Sequence, residues 1–307
     1  MKFVFAQYRE TGFTRIVILG DLFHNHFQIR LEVLEFWDRW LDLLSDLAGV
    51  EVVVLVGNHD QSGDYKAGGH ALSVFKRIKK PNLHIVDGPV QLGLFAFLPY
   101  IHSSDQLIAD ASKLFDAGAR VLVNHTTYAG SKYESGMYAP DGIDPILLPY
   151  NLLITGHIHS RQRFITPRGQ TVIMPGTSRW DTASDANEPK GLWLVSHSDL
   201  DGSIESERFI DTSSVVTPIV SVSLSEGDAI PEFPKNARVA IELIGSSTWV
   251  TKMKATFKGH SVSVKITDKK NSVERSAGKS LEDFVLNIYQ AKNKDALVKY
   301  MKEKNLV

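Results

Sequence analysis

Cysteine is absent from the 307 residues. That removes disulfide frameworks and thiolate metal sites together, leaving histidine nitrogen and carboxylate or amide oxygen as the ligands for any metal. A reducing, cytoplasmic setting is the expectation. No cationic leader opens the chain, and no stretch approaches the roughly 18 consecutive apolar residues of a membrane-spanning helix, so no membrane partner is expected. Charge of one sign is lacking too, with 34 Lys and Arg against 35 Asp and Glu. The balance decides nothing about nucleic acid, because counterion release depends on the local patch that meets phosphates. Repeats and low-complexity tracts are also missing. What is present, 43% hydrophobic and 22% charged residues, is the composition of a globular protein whose length suits one main core and a smaller appendage.

Short Val/Ile/Leu runs end in polar residues at four places: Ile16 to Leu19 before Gly20-Asp21, Val52 to Val56 before Gly57-Asn58-His59-Asp60, Val121 to Val123 before Asn124-His125, and Leu152 to Ile154 before Thr155-Gly156-His157. Such runs read as strands buried on both faces. Leu31, Leu34, Trp37, Leu41 and Leu44 stand at helical spacing within Leu31 to Leu47, and a second helix fits Asp105 to Phe115. Strands alternating with helices predict a layered α/β fold with its chemistry beyond the strand ends. From Gly191 the pattern turns to a hairpin, Leu192 to Val195 and Ile204 to Ile210. Strands at Val220 to Leu224, Arg238 to Ile244 and Ser261 to Ile266, with a helix at Thr248 to Phe257, then outline a small α+β domain. The boundaries expected are 1–211 for the main domain, 212–275 for the small capping domain and 276–307 for a tail of two amphipathic helices beginning at Leu281.

The residues after the four runs are the ones that can bind metal or move protons. Two metal ions close together need a bridging carboxylate, with imidazole or amide oxygen completing each shell, and strand ends hold such groups rigidly. Asp21, His24, Asn58, His59, His125, His157 and His159 supply that set. In Gly156-His157-Ile158-His159 the two histidines would point the same way on an extended segment. A single histidine is more often a surface or core residue than a ligand; the ordered series, each member after an apolar strand, is what carries the reading.

The series Gly-Asp, Gly-Asn-His-Asp, His, Gly-His-x-His resembles the calcineurin-like metallophosphoesterases, whose fold is a β-sandwich flanked by helices. Gly20-Asp21-Leu22-Phe23-His24 is similar, more narrowly, to the SbcD family of DNA-repair exonucleases and its archaeal, eukaryotic and phage counterparts, as are Met174-Pro175-Gly176-Thr177-Ser178 and the hairpin around Asp201-Gly202. The resemblance implies two divalent metal ions, Mn2+ or else Mg2+, bridged by Asp21. Asn58, His125 and His157 would complete the second site, and His159 would serve the first. His59 would be the catalytic group beside the metals, stabilising the transition state or protonating the leaving 3′ oxygen, and His24 would contact the phosphate. It further implies an exonuclease and endonuclease acting on DNA ends in recombination and repair, a homodimer, and an SMC-like coiled-coil ATPase partner that takes the tail. The compartment would be the host cytoplasm if the gene is phage-encoded.

Members of that family begin with a strand ending Asp-x-His, which supplies the first metal's remaining ligands. No such motif precedes Asp21; residues 1–12 read instead as a helix closed by Gly12. The first metal site is therefore expected to be incomplete, unless another residue such as His26 substitutes, and the alternatives are another phosphoesterase of the same fold or a catalytically impaired binding subunit. Asp60 reads equally as a support for His59 or as a turn residue. Arg161, Arg163, Arg168 and Arg179 offer contacts to DNA phosphates or simply a solvated face. Tyr128, Tyr133 and Tyr138 read as loop packing, with base stacking a lesser option. The lysines of the tail read as the polar face of its last helix.

Overall fold

Side-chain alternation sorts the central strands into layers. The computed structural model describes residues 2–24, 28–62, 69–133 and 135–267; the expected tail helices and His26 lie outside them. Strands β1 (Arg15–Ile18), β2 (Glu51–Leu55) and β3 (Leu83–Val86) form a three-stranded parallel sheet. A six-stranded sheet holds β4 (Val90–Leu92), β5 (Phe95–Phe97), β6 (Val121–Asn124), β7 (Leu152–Thr155), β9 (Thr171–Met174) and β8 (Gln162–Ile165) in that order. Its inner pairs are parallel and both edge strands antiparallel.

Period-two alternation sends Val53 and Leu55 of β2 to a core shared with Val121 and Val123 of β6, Leu152 of β7 and Ile173 of β9. This core fills the space between the two sheets. Val52 and Val54 face the other way, joining Leu41 and Leu44 of helix α2 (Leu31–Ser45). Leu122 and Leu153 likewise pack with Leu107 and Ala111 of helix α3 (Ser104–Asp116). The result is a β-sandwich with a helix on each outer face, the layered α/β fold that the sequence pattern predicts in the form that the family resemblance implies. Each fully buried Val or Leu contributes roughly 1.5–3 kcal/mol of transfer free energy.

Helix α1 (Lys2–Thr11) sets Val4, Phe5 and Tyr8 against the α2 core. It ends where Gly12, at φ 63°, donates its N–H to the Tyr8 carbonyl at 2.8 Å, the left-handed C-terminal stop expected there. Strands β10 (Gly191–His197) and β11 (Ile204–Asp211) make the anticipated hairpin.

The described residues separate by their internal contacts into two compact units, 1–222 with 231–240 and 223–230 with 241–267. Strands β12 (Ile219–Ser225), β13 (Arg238–Gly245) and β14 (Ser261–Ile266) form one three-stranded sheet. In the second unit, helix α4 (Ser247–Thr256) starts at Ser246, whose hydroxyl accepts from the Trp249 N–H, and buries Val250 and Met253. Among the described residues no helix is long and apolar enough to cross a membrane.

Candidate metal centre

All the ligand-type residues follow parallel strands at their C-terminal ends. Asp21 follows β1 and Asn58 follows β2 in one sheet; His125 follows β6 and His157 follows β7 in the other. The sheets meet at this edge: His125 Nδ1 lies 2.5 Å from the Leu19 carbonyl. A carbonyl only accepts, so Nδ1 carries the proton, and in the neutral ring Nε2 presents its lone pair on the opposite side. That nitrogen is 3.0 Å from Asn58 Oδ1 and 3.3 Å from Asp21 Oδ2. His157 Nδ1 lies 2.9 Å from the same Asn58 oxygen and 3.3 Å from His125 Nε2.

Ligand atoms of Asp21, His125 and His157 all lie within 4.8 Å of one another, a grouping able to hold a metal ion. The donor set fits a divalent cation. Two imidazole nitrogens, an amide oxygen and a carboxylate converge with too few protons to satisfy one another, and the Leu19 carbonyl fixes one ring's tautomer as outer partners of ligating histidines do.

Electrostatics follow from this crowding. Burial raises the Asp21 carboxyl, but hydrogen bonding and charge from His125, with the His59 N–H, outweigh it and hold the group at about 2. Burial works against the charged form of His125, yet Asp21 beside it raises its pKa. Burial first and the neighbouring His125 second bring His157 down to about 4, which keeps its ring neutral.

The backbone is bent to make the cluster. Asp21 has φ 55° and His157 φ 78°, left-handed conformations that cost a non-glycine residue about 1–2 kcal/mol each. Residues Leu22 and Phe23 bury beside Phe75, whose ring stacks 6.3 Å from that of Phe23, and so anchor the turn that carries Asp21. Gly57 permits a close crossing: a Cβ there would fall 2.1 Å from Asp21 Oδ1.

Asp60 is a turn residue, as one of its two readings has it, and its carboxylate does more than close that turn. Its buried carboxylate accepts from the N–H groups of Gly57 at 2.9 Å, Asp21 at 2.8 Å and Phe23 at 3.1 Å, tying the β1 turn to the β2 turn. Burial, opposed by the Gly57 amide and assisted by the Asp21 charge, lifts it to about 6.

His59 and His24 stand together beside the cluster, rings stacked at 5.7 Å. His59 Nδ1 donates to the His24 carbonyl at 2.9 Å, and the His59 N–H donates to Asp21 Oδ1 at 2.9 Å. His159 is half-buried two residues beyond His157 and stands outside the three-residue grouping. The arginines are engaged within the protein. Arg161 lies over the Phe209 ring at 4.2 Å, Arg163 pairs with Glu207 at 2.6 Å, Arg168 donates to the Ile146 and Leu148 carbonyls, and Arg179 lies 3.4 Å from Asp181. Tyr128 is wholly buried with its hydroxyl accepting from Asn124 Nδ2, which removes it as a stacking platform. Tyr133 is partly buried in the same core, and Tyr138 is exposed with Lys132 over its ring.

A sandwich with Asp, Asn and two His at the joined strand ends defines a metal-dependent phosphoesterase. Residues 4–161 match the family model for calcineurin-like phosphoesterases, and the chain belongs to that family, whose members use divalent metals. It is similar to exonuclease subunit 1 of Enterobacteria phage T4, with 26% identity over 194 residues, covering 61% of this chain and 54% of that protein. The chain thus matches about half the length of that relative. Among solved structures, zinc-complexed Vps29 of Entamoeba histolytica aligns at 15% identity and a TM-score of 0.28, covering 64% of this chain and 98% of that one.

Proposed function

We propose that this phosphoesterase is a DNA nuclease that hydrolyses phosphodiester bonds at DNA ends in recombination and repair. The convergence of Asp21, Asn58, His125 and His157 carries the reading, and the similarity to a phage exonuclease subunit supports the choice of substrate. These four residues would hold a divalent cation, Mn2+ or Mg2+, which would supply charge neutralisation and Lewis acidity for phosphodiester hydrolysis. Asp21 would be shared with a neighbouring cation served by His159. His59, steered by the His24 carbonyl, is suited to donate a proton to the leaving oxygen, and the His24 ring stacked on it is suited to meet a phosphate oxygen. The chain would work as a homodimer with an SMC-like ATPase, docked through the tail from Leu281. Residues 212–275 would contribute contacts to DNA.

The test is cleavage of end-labelled linear duplex and of circular single-stranded DNA, with Mn2+ or Mg2+, beside a simple phosphate monoester. Cleavage of DNA with little monoester hydrolysis is expected. Efficient monoester hydrolysis without DNA cleavage would overturn the nuclease reading, and DNA retention without any cleavage would make the chain a binding subunit.

A further inference from the structure

Lys190 is buried to 1% exposure, an uncommon place for an ammonium group. Its ammonium forms an ion pair with Asp185 Oδ1 at 2.7 Å and donates hydrogen bonds to Glu188 Oε2 at 3.2 Å and to the backbone carbonyl of His159 at 3.0 Å. Two carboxylates satisfy the charge. The remaining donor goes to the segment that bears His157.

Each partner is fastened in turn. Asp185 Oδ2 accepts the N–H groups of Asp181 at 3.0 Å and Thr182 at 2.9 Å. Glu188 Oε1 accepts the hydroxyl of Ser160, the neighbour of His159, at 2.8 Å. The Lys190 carbonyl accepts from Thr212 N at 3.0 Å, fixing the lysine to the start of the β10–β11 hairpin. The His159 carbonyl also accepts from the Thr177 N–H at 3.0 Å. His157, at φ 78°, occupies a conformation that its own segment does not favour, and such a conformation persists only when the surroundings over-determine it.

From this arrangement we propose that Lys190 is a positioning residue: with Asp185 and Glu188 it clamps the His159 carbonyl and so seats the His157 ring against Asn58 and His125. The proposal rests on the reading that these residues hold a cation. Lys190 acts on ligand geometry and touches neither metal nor substrate.

The test uses Co2+ alone as probe, added to the full chain and followed by its visible absorption band. Lys190→Met by itself leaves a buried carboxylate unpaired and risks misfolding. The double variant Lys190→Met/Asp185→Asn removes both charges together. Tyr150→Phe, which loses a buried hydrogen bond to the Ala111 carbonyl, serves as a control for lowered stability. The double variant should fold, by circular dichroism and thermal unfolding, yet bind Co2+ about 10- to 100-fold more weakly with an altered band, as loss of outer partners does at ligating histidines. Tyr150→Phe should keep wild-type affinity and band shape. Unchanged Co2+ affinity and band in a folded double variant would overturn the role of Lys190 while leaving the metal reading intact. Equal weakening in the control would overturn it as well, by tracing the effect to stability. Failure of the wild-type chain to bind Co2+ would overturn the metal reading and this proposal together.

Discussion

The Nδ1–H of His125 donates to the carbonyl of Leu19, 106 residues earlier, at 2.5 Å. One hydrogen bond thereby joins the two sheets and turns the other nitrogen of the ring toward Asn58 and Asp21. Loss of either His125 or Asn58 should remove cation binding. Asn58→Ala or His125→Ala is expected to weaken Mn2+ binding by at least about 100-fold, because an absent ligand is compensated less well than an absent outer partner. Isothermal titration of the folded variants checks this, and wild-type affinity in both would dismiss the assignment.

His59 should behave differently, since its proposed contribution begins in the transition state. His59→Ala is expected to retain Mn2+ within a few-fold and to lower kcat by about 100-fold or more, with KM little changed. A parallel loss of Mn2+ would show that His59 supports the ligands instead.

Gly57 is irreplaceable on steric grounds, its would-be Cβ lying 2.1 Å from Asp21 Oδ1 and 2.5 Å from the Asp21 nitrogen. Gly57→Ala should displace the Asp21 turn, costing roughly 1–3 kcal/mol of stability together with Mn2+ binding. Urea unfolding and metal titration on the same sample provide the measurement. A variant as stable and as metal-competent as wild type would contradict the close crossing.

Acid should dissolve the Lys190 clamp within a defined window. Burial raises the Asp185 carboxyl, but the hydrogen bond from Lys190 and the amides of Thr182 and Asp181 prevail and lower it to about 2 from 3.8. A carboxylate depressed by folding stabilises the protein above its unfolded pKa and loses that contribution as the pH falls through the folded value. The pH-dependent part is about 2–3 kcal/mol. The gap in urea midpoint between wild type and Asp185→Asn should therefore hold steady from pH 7 to about 4 and shrink toward pH 2. A gap that closes near pH 6 would be incompatible with this pairing.

Local signals made the four strand-end motifs readable. Val52 to Val56 is a continuous apolar run stopped by Gly57, and the same grammar marks Gly20 and Gly156. Nothing local marks Asp60 as a clasp, because two of its partners, Asp21 and Phe23, lie 39 and 37 residues away. Lys190 is equally silent: beside Glu188 and Pro189 it looks like any surface lysine, and its burial is decided by the fold around His159. Strands β8 and β9 did leave a trace, since Pro167-Arg168-Gly169 is a turn signal between two apolar-rich segments. The three-residue β4 and β5 carry too few residues for periodicity to speak, and in β3 His84 interrupts the apolar run.

The derivation of the site from both sheets has a consequence for the life of the polypeptide. Asn58 lies 99 residues before His157, and His125 lies 67 residues after Asn58. During synthesis the first sheet and α2 can collapse while the latter half is still being made, yet they hold only Asp21 and Asn58. Pairings of such sequence separation close slowly and late. The growing chain is thus born without its metal centre and acquires it only when β7 adds to β6.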